Sequence, residues 1–263
     1  MELLEIVLYL VIGFGAAIIG ALIGVGGGFL MIPILIFMGF SKDYAPVISI
    51  FVIMFTALSA SIKYARIKSI NYRLGLIYAP FTIIGALLGA YLLHLVDNLI
   101  FKIAFTVLVI YSGIYLIFKK KEDPDPSSEK LGAQHRSYYW LVFWGFLTGL
   151  SASFLGIGGG LVAVPVLTIF FMETMHVAVA TSLFIMIFTA SASSLQHYFL
   201  GFLGMQIING EPILIVALIV ALGAILGAQI GSSIQTHLKG RQLQLVFGVF
   251  MICTALPLLW LAP

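Results

Sequence analysis

Two short stretches of the sequence break apolar runs with glycine in the same way. GVGGG occupies residues 24–28 with Pro33 beyond it, and GIGGG occupies residues 156–160 with Pro165 beyond it. We expect a helix to start after each stretch, and the first four amides of a helix have no intrahelical acceptor. These amides lie at the positive end of the helix dipole and favour binding of an anion. The candidate glycines are Gly24, Gly26, Gly27, Gly28, Gly156, Gly158, Gly159 and Gly160.

Hydroxyl side chains recur at matching places downstream of each glycine stretch. Ser49 and Thr56 are seven residues apart, and so are Ser182 and Thr189, which puts each pair on one helical face. Such hydroxyls are suitable donors to the oxygen of an anion. They can also bond to their own helix backbone one turn back, which is common in membrane helices. Both interpretations stay open, and the four hydroxyls join the candidate site.

Close helix packing is the alternative explanation for the glycines. GALLGA at 85–90 and GAILGA at 223–228 have the small-xxx-small spacing that lets helices approach each other. The repeated GxGGG with a proline at a fixed distance favours a binding site instead. A nucleotide site is excluded, because the sequence contains no GxxxxGK[ST] motif and no strand or acidic residue supports GxGxxG.

Groups that would do covalent or metal chemistry are missing from the apolar segments. The ten acidic residues lie at segment ends or in loops, the five histidines are scattered, and Cys253 is the single cysteine. The sequence therefore predicts no enzyme, no catalytic residue, no metal site, no cofactor and no nucleic-acid partner.

Composition identifies the elements that must position these residues. The chain has 263 residues, of which 62% are hydrophobic and 9% charged, whereas a soluble domain carries about 25% charged residues. Uncharged runs such as 213–236 are long enough to cross the bilayer core. We therefore expect a polytopic protein of the cell (inner) membrane, with the lipid bilayer around it.

Ten apolar segments fall into two groups of five. They are predicted at 4–23, 29–40, 45–64, 74–94 and 99–118, and at 137–155, 161–172, 177–198, 210–231 and 241–260. The polar stretch between the groups is a linker. The predicted organisation is a first transmembrane repeat at 1–118, a cytoplasmic linker at 119–136 and a second transmembrane repeat at 137–263.

The two groups are copies of one unit. The glycine stretches and prolines recur at an offset of 132 residues, SIFVIMFTA at 49–57 recurs as SLFIMIFTA at an offset of 133, and GALLGA recurs as GAILGA at 138. Ordered matches at slowly growing offsets indicate an internal duplication. Internal repeats of this kind are typical of secondary transporters.

Charge placement predicts that the two copies are inverted in the membrane. Basic residues collect in cytoplasmic loops. The loop after the third segment is basic in the first half, whereas its counterpart at 199–210 has no Lys or Arg, and Lys239 and Arg241 follow the fourth segment instead. Opposite bias in matching loops predicts inverted repeats, with both termini outside and the linker inside.

The short second segment of each repeat is expected to dip into the membrane. Twelve residues of helix reach about 18 Å, whereas the bilayer core is about 30 Å thick. The prolines are expected near the first turn, where a missing amide costs little. The predicted fold is thus an all-α membrane protein with two inverted repeats of about five segments, broken at glycine turns. The two positive helix ends would face each other across a pseudo-two-fold axis.

The chain resembles the TauE/SafE (TSUP) family of sulfite and organosulfonate exporters. The resemblance is carried by GALIGVGGGFLMIPIL and GLSASFLGIGGGLVAVPVL, followed by SIFVIMFTALSAS and TSLFIMIFTASASSLQHY, in the family's order and over about residues 7–260. It implies transport, usually export, of sulfite, thiosulfate or a small organosulfonate such as sulfoacetate.

Three functions remain open at this point. The first is a secondary transporter that moves a small anion by alternating access between the repeats. The second is an anion channel lined by the same turns, and the third is a membrane scaffold without transport activity. An inside-negative potential favours anion exit by about 2.3 kcal/mol per 100 mV. The anion, the direction, the coupling ion and the oligomeric state stay open.

Overall fold

The computed structural model describes residues 3–41, 44–92, 138–200, 207–208 and 211–260, and part of 106–118. Nearly all of these residues are helical, which confirms the all-α prediction. The helices are α1 (Leu3–Ile23), α2 (Gly28–Phe37), α3 (Tyr44–Arg66), α4 (Tyr72–Leu92), α5 (Tyr138–Leu155), α6 (Gly160–Ile169), α7 (Met175–Phe199), α8 (Ile213–His237) and α9 (Gly240–Trp260). The linker predicted at 119–136 and much of the segment predicted at 99–118 lie outside the described residues.

The two short helices end earlier than the sequence pattern predicts. α2 was expected to reach residue 40 but ends at Phe37, because Gly39 adopts a left-handed conformation with φ of 94° and its amide donates back to Ile36. α6 was expected to reach residue 172, and there Met172 is the left-handed residue, with φ of 55°. A left-handed residue thus follows each short helix, two residues after the end of α2 and three after the end of α6.

A small antiparallel hairpin precedes α8. β1 (Ile207–Ile208) pairs with β2 (Glu211–Pro212), and α8 begins at Ile213 rather than at the predicted residue 210. Proline disfavours helical geometry in the residue before it, so Glu211 is extended and the helix starts after Pro212.

Five of the described helices are long and apolar enough to cross a membrane, namely α1, α3, α4, α7 and α8. α2 and α6 have only ten residues each. A helix of that length reaches about 15 Å, which is half the thickness of a bilayer core. Each short helix is therefore too short to span by itself.

The prolines lie deeper in the short helices than expected. Pro33 and Pro165 are the sixth residues of α2 and α6, beyond the four amides that a helix leaves unpaired. The expectation that they cost little was wrong. Each ring removes the amide that would have bonded the carbonyl four residues earlier, and the short helices are weakened at their centre.

Glycines fix two pairs of tightly packed helices. In the α1–α8 pair, Gly223 packs against the Leu10 carbonyl and Gly227 against the Phe14 carbonyl. In the α4–α5 pair, Gly85 packs against the Phe146 carbonyl and Gly89 against the Leu150 carbonyl. Residue numbers rise together in both pairs, so the paired helices are parallel. GALLGA and GAILGA thus pack helices closely, as their spacing predicts.

α3 and α7 form the centre of the bundle. Both are the most buried of the five long helices, whereas α1, α4 and α8 expose apolar side chains along one face. Exposed apolar faces of this kind suit contact with lipid. The central pair carries all four serine and threonine candidates, and its serines reach the glycine turns. The inverted orientation of the repeats stays a prediction.

Candidate functional site

Both glycine stretches form the same left-handed turn. Gly24, Gly26 and Gly27 have φ of 81°, 79° and 86°, and their counterparts Gly156, Gly158 and Gly159 have φ of 69°, 79° and 81°. Residues with a Cβ rarely adopt these angles, so glycine is required here. Gly27 and Gly159 are the N-caps of α2 and α6, so a short helix begins at the last glycine of each stretch.

The two turns lie against each other in the interior. Gly28, the first residue of α2, is so close to the other turn that an added Cβ would lie 2.7 Å from the Gly156 carbonyl oxygen. Gly160, the first residue of α6, packs in the same way against the Gly24 carbonyl oxygen. The helix starts of the two halves therefore meet at one place, and the turns are buried.

A reciprocal pair of hydrogen bonds joins the turns to the central helices. The Ser49 hydroxyl donates to the Gly156 carbonyl at 2.7 Å. The Ser182 hydroxyl lies 2.9 Å from the Gly24 carbonyl and 2.8 Å from the Val179 carbonyl. Each half of the chain thus supplies a serine that holds the first glycine of the other half.

The electrostatics of this contact suit an anion. The start of each short helix is the positive end of its dipole, and it faces a carbonyl oxygen from the opposite turn. In the arrangement observed, the turns pack directly against each other and leave no room for a ligand between them.

The two threonine candidates do not reach the glycine turns. The Thr56 hydroxyl donates to the Val52 carbonyl at 3.1 Å. The Thr189 hydroxyl lies 3.2 Å from the Ile185 carbonyl and 2.9 Å from the Thr82 hydroxyl of α4. The structure brings the two serines to the turns and places the two threonines beside backbone acceptors.

Two apolar side chains fill the space at the turns, and the sequence analysis missed them. The Ile53 side chain lies within 3.0 Å of the positions that Cβ atoms of Gly26 or Gly158 would take, and Met186 contacts Gly160. Ile53 and Met186 are equivalent by the offset of 133 and follow Ser49 and Ser182 by four residues. That spacing places them on the serine face of each helix, which is the signal that would have identified them.

Another contact between the halves lies at the far end of α3. The Asn71 side-chain amide donates to the Glu173 carboxylate at 2.7 Å, and the Asn71 backbone amide donates to the Thr181 hydroxyl at 3.0 Å. The Asn71 side-chain oxygen also accepts from the Leu74 amide and caps α4. We call Asn71, Glu173 and Thr181 the loop clasp.

Tyr64 and His197 are interior residues, although they lie at the ends of the segments predicted at 45–64 and 177–198. Both side chains are completely buried, and the Tyr64 hydroxyl donates to the Ala21 carbonyl at 2.9 Å. Tyr198 is exposed, as expected for an interfacial residue. The last turns of α3 and α7 are therefore partly buried in the bundle, although they lie at the ends of apolar segments.

Metal ligands do not cluster in the part of the chain that the structure describes. No group of three or more His, Cys, Asp or Glu side chains lies close enough to hold a metal ion there. The polar groups at the turns are backbone amides, carbonyls and hydroxyls, and these bind ions by hydrogen bonding.

Comparison with known proteins places the chain in a transporter group. A family model described as "Sulfite exporter TauE/SafE" matches residues 9–258. The chain is 29% identical over 219 residues to a probable membrane transporter protein of Bacillus subtilis, covering 75% of this chain and 80% of that protein. It is 28% identical over 172 residues to a probable membrane transporter protein of Methanocaldococcus jannaschii, covering 63% and 62%. No solved structure matches the chain.

These likenesses support a membrane transporter. A third relative, a probable membrane transporter protein of Haemophilus influenzae, is 30% identical over 149 residues, and the match covers 57% of this chain and 56% of that protein. The matches thus span less than two thirds of the Methanocaldococcus and Haemophilus relatives.

Proposed function

Because the chain belongs to the TauE/SafE family, we propose that it is a secondary transporter that exports a small sulfur-containing anion. The substrate class is sulfite, thiosulfate or an organosulfonate such as sulfoacetate. The site consists of the two glycine turns with Ser49, Ser182, Thr56 and Thr189 as side-chain donors. The proposal includes both termini outside, the linker at 119–136 inside, and a location in the inner membrane.

One observation carries the proposal. Two helix starts, one from each half, meet in the interior, and each faces a carbonyl oxygen of the other half that is held by a serine of its own half. The first amides of each short helix have no intrahelical acceptor and lie at the positive end of its dipole, which is complementary to negative charge. If the turns separate, the same amides and the two serine hydroxyls become available to an oxyanion without any buried lysine or arginine.

Alternating access follows from the way the halves are joined. The contacts at the turns are reciprocal, so rocking one half against the other changes both serine bonds together. The observed arrangement is then the closed one, with Ile53 and Met186 against the turns. Release to either side needs the turns to part and these two side chains to withdraw.

Export needs no separate coupling ion in this scheme. The acidic residues of the chain lie at segment ends or in loops, and none is in the middle of an apolar segment. An inside-negative potential of 100 mV favours exit of a monovalent anion by about 2.3 kcal/mol. Electrogenic export of the anion is the simplest mechanism that these charges allow.

Counterflow in proteoliposomes tests the proposal. The purified chain is reconstituted into vesicles loaded with unlabelled sulfite, thiosulfate or sulfoacetate, and uptake of the labelled anion is measured. With valinomycin and equal K⁺ on both sides to hold the membrane potential at zero, a transporter accumulates label transiently and saturates, whereas a channel does neither and a scaffold takes up nothing. Absence of saturable exchange with all three anions would contradict the proposal, and strict dependence on a sodium gradient would contradict uncoupled export.

A further inference from the structure

A stripe of polar side chains continues along α7 beyond the glycine turns. Thr189, Ser193 and His197 follow each other at intervals of four residues, so they share one helical face. All three are buried, with at most 1% of each side chain exposed. The stripe runs from the level of the candidate site toward the end of α7 that is predicted to lie outside.

A serine of α5 lies at the same height as this stripe. α4 packs against both α5 and α7, and the three helices are parallel. Thr82 of α4 bonds to Thr189 of α7, and Gly149 of α5 packs against the Thr82 carbonyl. Ser153 and Ser193 each lie four residues beyond these contacts on parallel helices, so they lie at about the same height, one turn before His197.

The duplication supports this neighbourhood. By the offsets of 132 and 133, Ser153 corresponds to Ala21 and His197 corresponds to Tyr64. In the first half the Tyr64 hydroxyl donates to the Ala21 carbonyl at 2.9 Å, so the equivalent residues of that half are in contact. Ser193 corresponds to Ala60, and the first half therefore has one tyrosine and two alanines where the second half has an imidazole and two hydroxyls.

Two of these hydroxyls are buried without a partner. In the part of the chain that the structure describes, the Ser153 and Ser193 hydroxyl oxygens have no hydrogen-bond partner, although neither residue is exposed at all. An unpaired buried hydroxyl destabilises a folded protein, and alanine would fit the same place without that cost. A ligand or solvent that enters the site in another step of the cycle explains why hydroxyls are present.

We propose that Ser153, Ser193 and His197 form a second oxyanion station on the outward path, beyond the central turns. This inference rests on the proposed anion transport. Two hydroxyls and an imidazole offer neutral or charged hydrogen-bond donors to sulfonate-type oxygens. The central turns have mainly backbone amides, so the anion passes from backbone donors to side-chain donors as it leaves. Polar side chains inside a membrane protein are typical of substrate pathways.

Alanine variants separate this role from a structural one. Ser153→Ala and Ser193→Ala remove the unpaired hydroxyls, so we expect unchanged or higher melting temperatures for both. We also expect the double variant to lose about tenfold in transport of the anion that the wild type carries best, because a hydrogen bond to a charged ligand is lost. Ser151→Ala is the matched control, since the Ser151 hydroxyl is equally buried but is bonded to the Thr148 carbonyl at 3.0 Å. If the double variant transports the anion at the wild-type rate, the proposal of a second oxyanion station is contradicted.

Thiol labelling tests the station even if no anion is transported. Cys253 is the single cysteine, so a Cys253→Ser background is free of thiols. In that background Ser193→Cys should react with 2-sulfonatoethyl methanethiosulfonate, which is itself a sulfonate anion. Ala224→Cys, equally buried in the packed α8 helix, should not react. If Ser193→Cys is as inert as Ala224→Cys, the station is overturned, whereas labelling without any transport would support the station and contradict only the proposed function.

Discussion

The Ser49 hydroxyl of the first half donates to the Gly156 carbonyl of the second half at 2.7 Å, and the Ser182 hydroxyl lies 2.9 Å from the Gly24 carbonyl of the first half. The Ser49 bond holds the second-half turn, against which the start of α2 packs. The Ser182 bond holds the first-half turn, against which the start of α6 packs. Because both bonds cross between the halves, neither turn can move away without breaking one of them. The pair is therefore the element that two conformations of the protein would make and break.

Removing either serine hydroxyl should weaken both the closed arrangement and anion binding. We expect Ser49→Ala and Ser182→Ala each to raise the half-saturating anion concentration about tenfold, because one donor to a charged ligand is lost. The melting temperature should fall by about 2–4 °C, since a buried carbonyl loses its donor. Saturation kinetics in proteoliposomes and thermal unfolding measure the two effects.

Ser233→Ala is a suitable control for the serine variants. The Ser233 hydroxyl bonds to the Gln229 carbonyl at 2.7 Å within α8 and does not join the two halves. It should leave the affinity unchanged. Equal affinity of the wild type and the Ser49→Ala, Ser182→Ala double variant would remove the serines from the site.

Side chains on the turn glycines should abolish transport. Gly27→Leu and Gly159→Leu force a side chain onto a left-handed backbone with φ of 86° or 81°. At Gly27 the new Cβ would also lie 2.5 Å from the Ala16 carbonyl oxygen. Membrane insertion should persist, because the long apolar helices are unchanged. Transport assays and membrane fractionation of the two variants measure both outcomes.

Gly15→Ala is the matched glycine control. Gly15 is in α1, and a Cβ there would meet nothing within 4 Å. We expect normal transport from Gly15→Ala and none from Gly27→Leu. Normal transport by both Gly27→Leu and Gly159→Leu would exclude the turns as the site.

The extent of sequence-based prediction differs between the backbone and the side chains. The starts of α2 and α6 followed from the glycine stretches, because local backbone preference decides where a helix begins after Gly27 or Gly159. The ends of the same helices were misplaced by three residues, since a left-handed residue such as Met172 carries no sequence signal. Local rules therefore predicted the breaks better than the lengths.

Contacts across the two halves could not be read from one repeat at a time. The spacing of Ser49 and Ser182 predicted a shared face, but their bonds to Gly156 and Gly24 depend on how the halves dock. The threonines Thr56 and Thr189 have the same spacing pattern, but Thr56 bonds to its own helix and Thr189 to its own helix and to Thr82 of α4. Tertiary packing, rather than periodicity, decides which acceptor each hydroxyl finds.

The apolar side chains at the turns should control the size of the transported anion. Ile53→Ala and Met186→Ala each remove bulk that lies against the turns. We expect the double variant to transport larger sulfonates, such as benzenesulfonate, relative to sulfite, because the space beside the turns grows. Competition of each sulfonate against labelled sulfite in proteoliposomes measures the change.

The same substitutions leave cavities in a buried region, so stability needs a matched comparison. Ile48→Ala removes a completely buried isoleucine of α3 that is five residues earlier and on a different face. It should destabilise to a similar extent, by about 2–5 kcal/mol, without widening the substrate range. If Ile48→Ala broadens selectivity as much as Ile53→Ala, the change reflects loosened packing and not a size filter.

Loss of the loop clasp should favour opening at the predicted cytoplasmic end. Asn71→Ala removes the 2.7 Å bond to Glu173, which holds the loop after α3 to the loop before α7, and it also removes the cap of α4. In the cysteine-free background, Ala60→Cys reports on this end, because it is completely buried in α3 between the turns and Tyr64. We expect Asn71→Ala to accelerate labelling of Ala60→Cys several-fold and to leave labelling of Ser193→Cys unchanged or slower, because the two ends open in alternation.

Thr236→Ala, which removes an exposed hydroxyl bonded within α8, should change neither rate. Equal acceleration at both positions would indicate general loosening and would contradict a clasp that holds one end closed.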